Sequence, residues 1–172
     1  MSYKVIILDV DGTLLSDKGM LPETKKALIK AQDMGIKIIL ASGPPTSGLV
    51  DIGKELHMDK HGGLYASYNG SKIVDCETGE TLFNDPLSIE DGKAVIEHMK
   101  NFDVYPMIDK DRYMYVNNVY PNNTIRFKGK DYNIVKEEVH SGNYLLCEQD
   151  DLAVFLDYKV NKVLTAAPPE YL

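Results

Sequence analysis

Two carboxylates, Asp9 and Asp11, are separated by one residue and followed by Gly12-Thr13-Leu14-Leu15. A pair of acids at this spacing can divide the work of nucleophile and proton donor, or hold a hard cation through oxygen. An Asx-rich turn and the opening of an EF-hand calcium loop are the competing readings. The calcium loop fails on spacing, because counting from Asp9 puts Leu14 where the loop needs Gly and Met20 where it needs Glu. The turn reading stays open. Asp-x-Asp-Gly-Thr arises by chance about once in 10⁵ positions at average residue usage, so its position behind an apolar run carries information.

That run, Val5-Ile6-Ile7-Leu8, is continuously apolar and mostly β-branched. It reads as a short strand buried on both faces in the middle of a parallel sheet. Alternation along an extended chain sends Asp9 and Asp11 to the same side just where the strand ends. Gly12 lets the backbone turn away there and leaves nearby N–H groups to face a ligand. Open α/β proteins bind ligands at this carboxyl edge. Pro22-Glu23 fits a helix start, Ala27, Leu28, Ala31 and Met34 form a stripe at helical spacing, and Gly35 is the expected stop. Ile36 to Ala41 then reads as a second strand, giving a right-handed parallel βαβ unit. It ends in Ser42-Gly43-Pro44-Pro45, so the Ser42 hydroxyl and the flexible Gly43 backbone are expected beside Asp9, where they suit a phosphoryl oxygen.

The motif Asp9-Val10-Asp11-Gly12-Thr13-Leu14-Leu15, behind an apolar strand near the amino terminus, resembles the first motif of the haloacid-dehalogenase-like phosphatases. The later layout, from Tyr3 to Leu172, resembles their Cof-type sugar-phosphatase branch, which inserts an α/β cap after the third core strand. The resemblance implies a partial Rossmann-like parallel core sheet with an incomplete α/β cap. It implies Asp9 as nucleophile, Asp11 as acid/base, and Mg²⁺ held by Asp9 and the main-chain carbonyl of Asp11. Ser42 resembles the second motif, a strand-terminal hydroxyl that hydrogen-bonds the phosphate. Where this branch commonly has Arg two residues further on, the chain has Pro44.

Thr46 to Leu56 reads as a helix weakened by Gly48 and Gly53, and Leu64 to Ser67 as a third strand. Asn69-Gly70-Ser71 resembles the place where the branch leaves its core. Lys72–Asp75 and Thr81–Phe83 look like a hairpin. The texture changes near Ser88, which sets the expected core at 1–86 and the cap at 87–172. In the second part, Ser88 with Asp91 reads as a helix cap. Val104–Ile108 and Tyr113–Val116 read as antiparallel strands, Asp151 to Leu156 as a helix, Val160 to Leu164 as a strand, and Pro168-Pro169-Glu170 as a helix start. Tyr105, Tyr113, Tyr115 and Tyr120 are read as packing residues rather than a substrate mouth.

The chain has 172 residues, 44% hydrophobic and 26% charged, with a formal charge of −7. That charge argues against nucleic acid or an anionic membrane as a partner; it does not exclude a small phosphorylated metabolite, because a bound cation reverses the sign locally. Cys76 and Cys147 lack metal-ligand spacing, and the first residues are too short in apolar run for a signal peptide or span, so a reducing cytoplasm is expected. The family's later Lys and Gly-Asp-x-x-Asn-Asp motifs are not recognisable, and no Gly-Asp pair occurs. Weak or absent turnover is therefore expected, the alternative being a catalytically silent paralogue that dimerises and binds phosphate. Transfer to another sugar instead of water shares the first half-reaction. Because convincing neighbours for the first strand occur on one side only, a second copy across a twofold axis is expected to cover its edge.

Overall fold

The computed structural model describes residues 3–119, 124–127 and 129–167. The chain divides into two compact units, Met1–Asp85 and Pro86–Leu172. Both are mixed α/β. Among the described residues no helix is long and apolar enough to cross a membrane.

The first unit is a five-stranded sheet in the order β1-β2-β3-β4-β5. Strands β1 (Val5–Leu8), β2 (Lys37–Ala41) and β3 (Leu64–Ser67) are parallel, and β4 (Lys72–Asp75) and β5 (Thr81–Asn84) add an antiparallel hairpin. Helices α1 (Pro22–Asp33) and α2 (Thr46–Glu55) make the crossovers that parallel pairing requires. Ile6 and Leu8 pair in register with Ile38 and Leu40, and these residues pack with Leu28, Leu49, Leu56, Met58 and Tyr65.

The first strand departs from expectation. It is paired on one side only, as the one-sided choice of neighbours suggests, but with Val5 43% and Ile7 65% exposed it is not buried on both faces in the middle of the sheet. An apolar run cannot distinguish a strand covered twice from one covered once. Helix α1 departs as well: Met34 is 72% exposed at the C-cap, whereas Gln32, four residues after Leu28 and so on the same face, is buried and donates from Nε2 to the Leu56 carbonyl at 2.7 Å. Gly53 in α2 is a packing residue. A Cβ there would stand 2.6 Å from Cε1 of Tyr65 on β3, so the glycine lets the helix approach the sheet.

In the second unit α3 (Ile89–Met99) begins at Ser88, whose Oγ accepts from the Asp91 N–H at 3.0 Å. The sheet order is β10-β7-β6-β11, with β6 (Tyr105–Lys110) and β7 (Tyr113–Val116) antiparallel as the sequence suggests. The last strand, β11, spans Val163–Ala166, three residues later than its expected start, because Val160 is buried instead among Ile96, Leu152 and Leu156. The sequence did not mark out the hairpin of β8 (Thr124–Phe127) and β9 (Lys130–Asn133), helix α4 (Ile134–Ser141) or strand β10 (Leu145–Glu148). Asp151 caps α5 (Leu152–Phe155) by accepting from the Ala153 and Val154 N–H groups. Tyr115 packs on Phe155 at a ring separation of 4.6 Å, and Tyr105 packs against the Met107 cluster. Tyr120 and the helix start expected at Pro168-Pro169-Glu170 lie outside the described residues.

Candidate active site

The register Leu8↔Leu40 between parallel strands fixes the site's frame. Asp9 follows β1 by one residue and Ser42 follows β2 by one, so the chain's first acid and its strand-terminal hydroxyl leave adjacent strands at the same sheet edge.

After Asp9 the backbone closes on itself. The Leu14 N–H donates to the Asp9 carbonyl at 3.2 Å, the Leu15 N–H to Val10 at 2.8 Å, and the Gly12 N–H to Leu15 at 2.9 Å. Gly12 has φ +74°, which permits this tight path. Val10 and Leu14 are buried in the sheet's core cluster and anchor the loop, leaving Asp9, Asp11, Gly12 and Thr13 exposed. One consequence is a contact that the sequence holds only implicitly: Thr13 Oγ1 donates to Asp9 Oδ2 at 3.0 Å. Asp9 Oδ1 takes no hydrogen bond among the described residues. The hydroxyl belongs to the same Asp-x-Asp-Gly-Thr motif, and only the closed loop shows why it matters.

Ser42 is 8% exposed, and its N–H donates to the Ala66 carbonyl at the end of β3 at 3.1 Å. The next loop wraps around it. Tyr68, Asn69 and Gly70 have consecutive positive φ values of 52°, 57° and 91°, a conformation costing on the order of 1 kcal/mol for each non-glycine residue. Their N–H groups face back: Tyr68 donates to the Pro44 carbonyl and Asn69 to the Ser42 carbonyl, both at 3.0 Å.

Among the described residues, neither Asp9 nor Asp11 takes part in an ion pair, and no group of three or more His, Cys, Asp or Glu side chains is gathered as a metal cage. A cation at this edge would draw on the two exposed carboxylates of Asp9 and Asp11, main-chain carbonyls and water. That donor set fits Mg²⁺, which binds through one or two carboxylates and keeps several waters.

The strand order and the acidic loop at the carboxyl ends of parallel strands define an α/β protein of the kind that binds ligands outside its sheet edge. The model of the haloacid dehalogenase-like hydrolases matches residues 6–172, and the chain belongs to that family. A solved haloacid dehalogenase-like hydrolase from Bacteroides thetaiotaomicron superposes with a TM-score of 0.75 at 28% identity, covering 92% of this chain and 56% of that one. Pyridoxal phosphate phosphatase YbhA of Escherichia coli K12 is 27% identical over 112 residues, 64% of this chain and 40% of the relative. The 5-amino-6-(5-phospho-D-ribitylamino)uracil phosphatase YcsE of Bacillus subtilis 168 is 32% identical over 76 residues, 44% of this chain and 29% of the relative. The matches thus span less than half of these curated relatives' length.

Proposed function

We propose that this chain carries the nucleophile side of a Mg²⁺-dependent phosphatase acting on small phosphorylated metabolites, sugar phosphates among them, through an aspartyl-phosphate. The observation that supports it is Asp9 at the end of β1, held through Oδ2 by Thr13, with Ser42 leaving the adjacent parallel strand. Asp9 attacks phosphorus in line, the ester P–O bond breaks, and Asp11 protonates the departing oxygen. Asp11 then takes a proton from water, which attacks phosphorus, releases inorganic phosphate and regenerates Asp9. The Ser42 hydroxyl and the Gly43 backbone hold phosphoryl oxygens; the Gly12 N–H, expected from the sequence to face the ligand, is instead taken by the Leu15 carbonyl at 2.9 Å as the loop closes. When bound by Asp9 and Asp11, Mg²⁺ offsets the repulsion between carboxylates and phosphate.

A second reading draws on the lack of any ion pair at Asp9 and Asp11 among the described residues. On that reading the 172-residue chain is silent or weakly active by itself and binds phosphate without turning it over. In either case a second copy covers the β1 edge, where Val5 and Ile7 lie exposed and β1 pairs only with β2 among the described residues. The two free cysteines are compatible with a reducing cytoplasm.

The test is release of inorganic phosphate from an aryl phosphate, with Mg²⁺ or with chelator, beside Asp9→Asn. Metal-dependent turnover lost in the variant supports the enzyme. No turnover from folded protein that still binds phosphate supports the silent binder.

A further inference from the structure

The turn Tyr68-Asn69-Gly70 holds two side-chain-bearing residues in the left-handed region in succession, next to a glycine that shares it. Gly70 has open space around a built Cβ, so its backbone conformation, not crowding, calls for glycine. Asn tolerates this region; Tyr does not ordinarily enter it. Such a conformation persists only where surrounding bonds over-determine it. Here the bonds are identifiable: the Tyr68 N–H on the Pro44 carbonyl, the Asn69 N–H on the Ser42 carbonyl, and the Ser71 N–H on the Tyr68 carbonyl.

The first two of these act on the segment that follows β2. Ser42 directs both backbone groups toward β3, its N–H to Ala66 and its carbonyl to Asn69. Among the described residues every peptide bond is trans, so the Gly43 N–H, which shares a plane with the Ser42 carbonyl, points the opposite way. β2 lies between β1 and β3, and the opposite way is therefore the β1 side, where Asp9 follows Leu8.

We infer that the Tyr68-Asn69-Gly70 turn is a positioning element whose left-handed backbone fixes the direction of the Ser42–Gly43 peptide, and with it the grip on a phosphoryl group beside Asp9. This rests on the phosphate-handling role proposed above. The device is conformational: Asn69 acts through its backbone N–H and its φ, and through no contact of its side chain with the ligand.

The experiment titrates inorganic phosphate, with Mg²⁺ present, into the full chain and three variants, following affinity by calorimetry and the Gly43 amide by NMR. Asn69→Val, β-branched and disfavoured at φ 57°, is expected to weaken phosphate about tenfold and to displace the Gly43 amide resonance before any phosphate is added. Asn69→Gly, which adopts the same backbone freely, is expected to restore both. Asn69→Ala, milder in strain, is expected to fall between them and stands in should the valine variant not fold. Unchanged phosphate affinity in folded Asn69→Val or Asn69→Ala overturns the inference even if melting temperature drops, since that is a purely structural role. A glycine variant as defective as the valine one also overturns it, because the side chain would then be the agent. If the unmodified chain neither binds phosphate nor releases it from an aryl ester, the phosphate-handling reading fails first and this inference with it.

Discussion

The Thr13 hydroxyl donates to Oδ2 of Asp9 at 3.0 Å, across a loop closed by the Leu14 N–H on the Asp9 carbonyl. One carboxylate oxygen is thereby tied and Oδ1 presented. Thr13→Val keeps the shape and removes the donor. It is expected to lower metal-dependent phosphate release about tenfold, the worth of one hydrogen bond to a charged group. Thr13→Ser should restore it. Thr13 is exposed, so unfolding by denaturant should shift by less than about 1 kcal/mol in either variant; a larger shift for valine would mean that the hydroxyl chiefly holds the loop.

Gly53 faces Tyr65 so closely that a Cβ would stand 2.6 Å from Cε1. Alanine is the better helix former by about 1 kcal/mol, yet here overpacking is expected to win. Tyr65 is 4% exposed, with Cys76 and Val50 against it, and has little room to withdraw. Gly53→Ala should destabilise the chain by about 1–3 kcal/mol in denaturant titrations, with part of the loss recovered in Gly53→Ala/Tyr65→Phe.

Burial pushes the Cys76 thiol from 9.0 up to about 11, and raises the Tyr65 phenol beside it. Folding favours the protonated thiol. Its contribution is therefore complete below pH 9.0, the ordinary thiol value, and is lost as pH rises through about 11, because in that window the unfolded chain has released a proton that the folded chain retains. Stability should fall across this range, and Cys76→Ala should flatten the slope. The folded protein's Cys76 should also react with a thiol reagent at a rate that keeps climbing toward pH 11.

Ile7, 65% exposed on the edge strand, is the residue to charge if a second copy seals that edge. The unmodified chain is expected to be dimeric by light scattering, and Ile7→Lys monomeric, since edge lysines block strand pairing. A monomeric parent protein at concentrations well above micromolar would remove the dimer from the proposal.

Ser88 accepts from the Asp91 N–H at the start of α3 and donates to the Asp91 carboxylate at 2.6 Å. Ser88→Ala should cost about 1 kcal/mol in thermal or denaturant unfolding.

Much of the first unit was legible in one dimension because its signals are local. A β-branched run ending in Asp-x-Asp-Gly, a helical stretch closed by Gly35, a second apolar run ending in Ser42, and a hairpin around Gly79 each depend on neighbours within a few residues. So did the Ser88 cap. The second unit was less legible: α4 and β10 are short, and β10 (LLCE) does not show a clean alternation of apolar and polar residues.

What the sequence by itself determined was the chemistry available at one sheet edge: two acids and a hydroxyl at the ends of parallel strands, since periodicity and register follow from residue type. Only the tertiary structure decided that β1 leaves Val5 and Ile7 exposed, that Gln32 and not Met34 faces the core, and that Thr13 meets Asp9. It also set Tyr68 and Asn69 in the left-handed region, because carbonyls from Ser42 and Pro44, more than twenty residues earlier, are there to receive their N–H groups. Conformations held by partners distant in sequence carry no local signal, and these are the ones that shape the site.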